Sequence, residues 1–292
     1  MATEGLTDVI ARQTWLDAPG KALQDAAKKF YDSTGQTGLK LMNFLHGTWL
    51  GHPLHPTLTD VPVGAWTAAL LIDSIEMAGS SRKGLETAAD AAIALGVVGA
   101  AGAAAAGLTD WHRLRGERTR RLGTMHLLFN TSALVLHGAS LALRGSGQRG
   151  AGRAASLLGY AAMGAGAFLG GHLAYSEQVG PDHNARLEPP EDWVRLLPEA
   201  QLPVGELRRA EANGVPVLLY RHGNKIHAMV ETCGHMGGPL SEGHVEDGTV
   251  ACPWHGSRYA LDSGAVREGP STYAQPVFEV RVRDGQIEVR AG

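Results

Sequence analysis

Cysteine is nearly absent from this chain: only two of its 292 residues are cysteines, Cys233 and Cys252. Two thiols allow at most one disulfide, which excludes the class of small disulfide-stabilised scaffolds. Net charge is also small, at −3 with histidine counted as neutral, so the chain lacks a basic footprint and no nucleic-acid partner is expected. The first residues show no basic start followed by an apolar run and no twin-arginine pair, so no export signal is recognisable.

Charge is missing altogether from long stretches in the middle of the chain. Residues 91–109, 122–143 and 154–176 contain no charged side chain, and about 20 apolar residues span a bilayer as a helix. A weaker window covers 61–79 and ends near Asp73, which we expect to lie in water. We therefore predict four membrane helices, rich in the small residues that allow close packing in lipid, and the alternative is a soluble alanine-rich bundle. The predicted helices cover about 61–79, 89–109, 122–143 and 154–176.

The connections between these windows carry arginine unevenly. The segment between the second and third windows has five arginines, more than either other connection. With four spans, this segment lies on the same side of the membrane as both termini. The positive-inside rule then predicts a cytoplasmic location for both termini.

The spacing of the apolar residues in the sequence changes after Tyr175. A polar, proline-containing stretch follows, and from about residue 192 the apolar residues alternate. Two alternating pairs of segments are joined by Gly223-Asn224 and by Asp284-Gly285, which predicts two β-hairpins. The C-terminal third is therefore predicted to be a small all-β domain.

Both cysteines lie in that β domain, each followed closely by a histidine. The pattern is Cys-x-His, sixteen residues, then Cys-x-x-His. Thiolates and imidazoles at such spacing indicate a metal site. A zinc site is one interpretation, although zinc modules usually pair like ligands. A structural disulfide is another, but it leaves the histidines unexplained. One sulfur and one nitrogen from each loop best suit a cluster of two unlike irons.

The residues around this pattern extend the match. GGPL (237–240) follows the first pair, GSRY (256–259) follows the second, and Gly269-Pro270 comes later in the chain. In these motifs residues 192–292 resemble a Rieske [2Fe–2S] domain. The resemblance implies that one iron is bound by Cys233 and Cys252. It implies that the other, more exposed iron is bound by His235 and His255, at the usual port for electrons.

Two departures bear on how such a cluster is held. Gly238 and Trp254 stand where Rieske proteins of cytochrome bc complexes have two further, disulfide-bonded cysteines. Ser257 and Tyr259 match the positions whose hydroxyls bond to cluster sulfur in that branch. Such bonds stabilise the reduced cluster, so we expect an intermediate midpoint potential within the family range of about −150 to +300 mV.

The membrane half has a resemblance of its own. GHPLHPTLTDVPVGAW (51–66) and LGGHLAYSEQVG (169–180) are similar to the DUF2231 family of predicted four-helix membrane proteins. Histidines inside a bilayer usually mark a function, and two on facing helices can ligate a b-type haem. The candidates for a haem or metal centre are His55, His126 and His172.

We thus expect a multidomain chain, with an all-α four-helix transmembrane bundle followed by a small all-β Rieske-type domain. Its segments are an amphipathic N-terminal segment (1–45), a DUF2231-like membrane domain (46–178), a linker (179–191) and a Rieske domain (192–292). The expected function is one-electron transfer at a cell membrane, with the Rieske domain in the cytoplasm. Expected partners are donor and acceptor proteins or quinone, together with membrane lipid. The alternative is a [2Fe–2S] redox sensor or assembly factor. The site of a complete Rieske oxygenase is missing, because no D-x-x-H-x-x-x-x-H run is present.

Overall fold

The computed structural model describes residues 5–79 and 83–292, which fall into two compact units. The first unit comprises the chain up to Leu39 together with Leu54–Glu177. The second comprises Lys40–Pro53 together with Gln178–Gly292. The short segment Lys40–Pro53 therefore belongs with the C-terminal β-rich part of the chain, although it precedes the long helices in sequence.

Three helices precede the long apolar ones: α1 (Leu6–Ala11), α2 (Asp17–Ser33) and α3 (Gly35–His46). α1 and the start of α2 pack on the bundle, where Leu16 shares a buried core with Leu122 and Leu169. Asp17 accepts hydrogen bonds from Arg121 at 2.7 and 2.9 Å and from Arg120 at 3.1 Å. These guanidinium groups, Arg121 foremost, lower the pKa of Asp17 to about 2.

Four long helices form the body of the first unit, and each is long and apolar enough to cross a membrane by length and composition. All four begin before their predicted windows in the sequence. The third long helix begins inside the arginine-rich segment, because Arg120 and Arg121 are ion-paired there instead of lying in a loop. The helices are α4 (Leu54–Met77), α5 (Lys83–Trp111), α6 (Glu117–Gly145) and α7 (Arg149–Tyr175).

Small residues let large rings sit between these helices. The Trp66 ring of α4 lies against Gly96 of α5, where a Cβ atom would collide with the indole. The other side of the same ring system stacks on His137 of α6, with centroids 3.8 Å apart and planes 1° from parallel. A glycine at position 96 is therefore needed for the approach of α4 to α5.

A network of ion pairs joins all four helices at one end of the bundle. Arg144 of α6, with a side chain only 1 % exposed, bonds to Asp73 of α4 and at 3.1 Å to Asp90 of α5. Arg153 of α7 lies 2.5 Å from Glu76 of α4. The expectation that Asp73 lies in water is wrong: it is 5 % exposed, because α6 supplies a partner that cancels its charge.

The second unit contains ten strands in its described residues, arranged in three antiparallel sheets. The sheets have the orders β1-β10-β9, β2-β3-β4 and β5-β6-β7-β8. The strands are β1 (Val194–Pro198), β2 (Leu207–Ala212), β3 (Val215–His222), β4 (Lys225–Val230), β5 (His244–Glu246), β6 (Thr249–Ala251), β7 (Arg258–Ala260), β8 (Val266–Glu268), β9 (Phe278–Arg283) and β10 (Gln286–Ala291).

Both predicted hairpins are confirmed. His222 pairs with Lys225 across one two-residue turn, and Arg283 pairs with Gln286 across the other. Asp284 and Gly285 both have positive φ, at 52° and 71°, as a type I′ turn requires.

Strand β3 is buried on both faces and separates two cores. Val217 and Leu219 point into one core, while Leu218 between them points into the other. The second core contains Cys233 and Cys252, so the two thiols are packed among apolar side chains. The β domain thereby fixes the position of both sulfur atoms.

Candidate metal centre

Two loops of the β domain carry the cysteines and histidines, and they have the same backbone hydrogen bonds. In the first loop, Cys233 N–H donates to the carbonyl of Gly238 at 2.8 Å, and Gly237 N–H donates to the carbonyl of Cys233 at 2.9 Å. In the second, Cys252 N–H donates to Ser257 at 2.8 Å, and Gly256 N–H donates to Cys252 at 3.1 Å. Each loop is thus a closed turn that begins at its cysteine.

A glycine at the same place in each turn makes this geometry accessible. Gly237 has φ +73° and Gly256 has φ +82°, which is the left-handed region that other residues rarely adopt. The motifs Cys-x-His-x-Gly and Cys-x-x-His-Gly therefore encode equivalent turns, although their histidines differ in spacing by one residue.

The two turns bring the four predicted ligands together in pairs. The rings of His235 and His255 have centroids 4.9 Å apart with planes at 81°. Neither cysteine forms a disulfide, and both are buried. Nδ1 of His235 is buried without a hydrogen-bond partner among the described residues. A buried nitrogen with no partner is unfavourable unless something binds it, so this atom fits a metal ligand.

The arrangement differs from a site for one metal ion. Within the part of the chain that the structure describes, no three His, Cys, Asp or Glu side chains converge on a single ion position. A [2Fe–2S] cluster of this type instead needs two protein ligands for each iron. The pairing of two thiols and two imidazoles therefore fits a two-iron cluster better than a zinc site, which takes four ligands on one ion.

The hydroxyls of Ser257 and Tyr259, which the sequence motif singles out, both belong to buried residues of the β domain. Tyr259 is fully buried on β7, and its hydroxyl lies 3.1 Å from Sγ of Cys233. Ser257 is also fully buried, and its Oγ accepts the backbone N–H of Ser271 at 2.9 Å. Ser271 follows Gly269-Pro270, so Ser257 ties this third loop to the second turn. The predicted effect of both hydroxyls on the cluster remains a prediction.

Gly238 and Trp254 face each other across the two turns. A Cβ atom on Gly238 would lie 2.9 Å from Sγ of Cys252 and 3.1 Å from the indole of Trp254. The two positions that hold a disulfide in the bc branch are thus filled here by one large ring lying against a glycine. Packing takes the place of the covalent bond between the turns.

Sequence reasoning missed two amides that brace the first turn. Gln275 is buried, and its Nε2 donates to the carbonyls of Val230 and Thr232 at 2.7 and 2.6 Å. Asn184, in the segment predicted to be a linker, donates to the carbonyl of Thr232 at 2.9 Å. Neither residue has a motif that marks it, because each acts on a loop more than 40 positions away in the sequence.

The pKa shifts at the site follow from burial and from close neighbouring groups. A hydrogen bond with the Cys252 thiol and burial raise the pKa of Cys233, and burial raises the pKa of Tyr259. Burial lowers the pKa of His235, and the neighbouring imidazoles of His255, His46 and His183 lower it further. Since thiolate and neutral imidazole are the forms that bind metal, cluster binding must release the thiol protons.

The imidazoles are the more accessible pair of predicted ligands. His235 is 8 % exposed and His255 is 7 % exposed, against 1 % for Cys233 and 4 % for Cys252. That an iron bound by the imidazoles is the more exposed one stays a prediction. Residues from outside the β strands crowd the imidazole rings: His183 donates its backbone N–H to Gly234 at 3.0 Å, and His46 acts electrostatically on His235.

The predicted membrane histidines are only partly brought together. His55 of α4 and His126 of α6 have ring centroids 6.1 Å apart. Each Nδ1 lies 2.8 Å from a backbone carbonyl of a neighbouring helix, Ala103 for His55 and Gly166 for His126. His172 pairs instead with Glu177, at 3.4 Å between Nε2 and Oε1.

Comparison with known families assigns both parts of the chain. The profile of the Rieske [2Fe-2S] domain matches residues 192–279. The profile described as "Predicted membrane protein (DUF2231)" matches residues 51–183. The Rieske domain implies a [2Fe–2S] cluster and a ferredoxin-like electron carrier.

Individual relatives match the β domain alone. Ferredoxin CarAc of Metapseudomonas resinovorans is 32 % identical over 98 residues, which are 33 % of this chain and 92 % of that protein. The anthranilate 1,2-dioxygenase ferredoxin subunit of Burkholderia cepacia is 40 % identical over 77 residues, covering 26 % of this chain and 71 % of that protein. A solved complex of reduced oxygenase and oxidized ferredoxin in carbazole 1,9a-dioxygenase is 31 % identical and covers 34 % of this chain, with a TM-score of 0.33.

Two observations lead to one assignment. Two equivalent turns carry paired thiols and imidazoles, and the Rieske profile matches the same residues. The chain belongs to the Rieske [2Fe–2S] family, and it carries its Rieske domain behind a DUF2231 domain.

Proposed function

We propose that this protein is a membrane-anchored Rieske iron–sulfur protein that carries single electrons at a cell membrane. The observation that carries the proposal is the pair of equivalent turns, which present two buried thiols and two imidazoles, with Nδ1 of His235 lacking a hydrogen-bond partner in the described part of the chain. When bound there, the cluster supplies reversible one-electron chemistry.

The residues of the chain have distinct tasks in this proposal. Cys233 and Cys252 hold one iron, and His235 and His255 hold the other. The Tyr259 hydroxyl, 3.1 Å from a ligand sulfur, donates a hydrogen bond that strengthens as negative charge builds up on reduction. The buried amides behind the first turn keep the ligands in place, so that little rearrangement accompanies electron transfer.

The four long helices serve as the membrane anchor. Their length and composition, together with the DUF2231 match, support four spans with both termini on one side. The arginines at the start of α6 favour the cytoplasm for that side and hence for the Rieske domain. Carbonate extraction of membranes tests the anchor: an anchored chain stays in the pellet, and release into the supernatant would contradict it.

The electron partners of the protein are proposed from chemistry and from its relatives. Two of those relatives are named as ferredoxins, one of them as a dioxygenase subunit. We accordingly propose a protein donor and a protein or quinone acceptor. The absence of a second, mononuclear iron motif in the sequence supports a carrier that is not itself an oxygenase.

We propose haem b as a second centre, with His55 and His126 as its ligands. A metal-ligating histidine usually donates its other N–H to a carbonyl, and both rings have Nδ1 engaged in this way. A purified wild-type protein without a Soret band would rule out this centre. If the band is present, His126→Leu should abolish it and leave the cluster signal unchanged.

Ultraviolet–visible and EPR spectroscopy of detergent-purified protein test the main proposal. We expect a coloured protein with two irons per chain and, on reduction, the low average g value of mixed nitrogen and sulfur ligation. His255→Ala should remove the signal, whereas His244→Ala, at an exposed position on β5, is the matched control and should keep it. Colourless protein containing zinc, or iron bound equally well in both variants, would overturn the assignment.

A further inference from the structure

The segment Lys40–Pro53, called the strap below, is built into the cluster site. Oδ1 of Asn43 accepts the backbone N–H of Gly269 at 3.0 Å. His46 is 1 % exposed, and a Cβ atom on Gly269 would lie 2.8 Å from its ring. Gly269 and Pro270 form the third loop of the site, so the strap braces the loop that Ser257 holds from the other side.

The opposite side of the strap is apolar and open. Leu41 and Phe44 are one helical turn apart on α3, on a different face from Asn43 and His46. They are 39 % and 54 % exposed, and after the helix ends Trp49 and Leu50 are 61 % and 44 % exposed.

Two of these side chains are arranged as a pair. The rings of Phe44 and Trp49 stack at 5.7 Å with planes 8° apart, and the Trp49 N–H donates to the carbonyl of Phe44 at 3.2 Å. The indole is therefore held in a fixed orientation with its N–H satisfied, although nothing in the described residues covers the ring. An exposed, stacked pair of aromatic rings with further exposed apolar side chains close to it in the sequence points to an interaction site.

The position of the strap in the chain identifies what covers it. Leu50 is followed after three residues by Leu54, where α4 begins, and α4 is the first candidate membrane span. The four Cα–Cα steps from Leu50 to Leu54 reach at most about 14 Å in extended form, so the exposed rings are tethered close to the end of a membrane helix. Aromatic side chains at that depth are the usual anchors in the headgroup layer.

We propose that the outer face of the strap, formed by Leu41, Phe44, Trp49 and Leu50, is seated in the lipid headgroup layer beside α4. The inner face of the strap then holds the third loop of the cluster site at the membrane surface. This inference rests on the proposed membrane anchoring. It places the cluster where a redox partner carried in or on the bilayer reaches it.

Fluorescence quenching in nanodiscs tests the lipid contact on the full chain. The protein is placed in phosphatidylcholine discs with and without bromine on the acyl chains near the headgroup, and the quenched part of the tryptophan emission is measured. We expect Trp49→Phe to remove a large share of the quenchable emission. The matched control is Trp193→Phe, because Trp193 lies under the guanidinium of Arg281 at 4.1 Å, within the β domain. That control should leave the quenchable emission unchanged.

A second variant guards against an indirect effect of losing the indole. Phe44→Trp in the Trp49→Phe background puts an indole on the same face, and it should restore the quenching. The inference fails if neither Trp49 nor the restored indole is quenched while the protein remains in the disc with its EPR signal. The strap is then covered by protein or by nothing, and the proposed function is unaffected. If the protein does not enter discs or lacks the EPR signal, the proposed function fails as well.

Discussion

The hydroxyl of Tyr259 offers the sharpest test of how this chain sets its potential. Tyr259→Phe removes one oxygen atom that lies 3.1 Å from Sγ of Cys233, at a residue that is fully buried. The phenyl ring keeps the same apolar contacts with the core around the thiols. The substitution therefore removes the hydrogen bonds of the hydroxyl, to Cys233 and to Ser271, and keeps the packing of the ring.

The size of the effect follows from the strength of such a bond. A hydrogen bond to a charged group contributes about 1.5–3 kcal/mol, and only the part that grows on reduction moves the potential. If that part is about 1 kcal/mol, the midpoint potential falls by about 40 mV, because about 59 mV corresponds to a tenfold change in a one-electron equilibrium. The sign is negative, since the lost donor stabilised the more negatively charged reduced state.

An EPR-monitored redox titration of purified protein measures this shift. Tyr220→Phe is the matched control, because Tyr220 packs against the same core from β3, and its potential should equal that of the wild type. An unchanged or higher midpoint in Tyr259→Phe, with the EPR signal intact, would refute the reasoning. It would mean that the hydroxyl does not donate to the sulfur in the loaded protein.

Three further substitutions test the packing around the site and the bundle. Gly238→Ala places a methyl group 2.9 Å from Sγ of Cys252, and overpacking of about 1–3 kcal/mol should lower the iron content per chain, measured colorimetrically. Gln275→Leu removes the amide that donates to the carbonyls of Val230 and Thr232 before the first turn and leaves Thr232 with Asn184 alone, so we expect faster loss of the visible absorbance on warming, with unchanged helical circular dichroism. Arg144→Leu leaves the buried carboxylate of Asp73 with Arg153 at 3.5 Å as its remaining partner, and a loss of up to about 3 kcal/mol should appear as a lower Tm of the bundle in detergent.

The structural features that were predicted well depend on local patterns in the sequence. The hairpin at Asp284-Gly285 is specified by a two-residue turn, and the lengths of the four apolar windows, three of them uncharged, match the thickness of a bilayer. The cluster motif is equally local, because each turn closes on itself within six residues and needs a glycine at a fixed place. Such features depend only on neighbours in the chain, so they are visible without a structure.

Contacts between distant parts of the chain escaped the same reasoning. Asp73 looks like a charge at a helix end until Arg144, 71 positions later, arrives from another helix. Asn43 and Gly269 are 226 positions apart, and no periodicity connects them. The burial of the His235 and His255 rings is another example of such contacts, since it depends on residues that lie outside the β domain.

The missing disulfide explains why so many of these distant contacts converge on the first turn. A turn that must hold two ligands without a covalent link needs its backbone carbonyls fixed in another way. Here Gln275 and Asn184 both donate to the carbonyl of Thr232, directly before Cys233, and Trp254 fills the gap opposite Gly238. Hydrogen bonds and packing survive in a reducing compartment, where a disulfide does not persist.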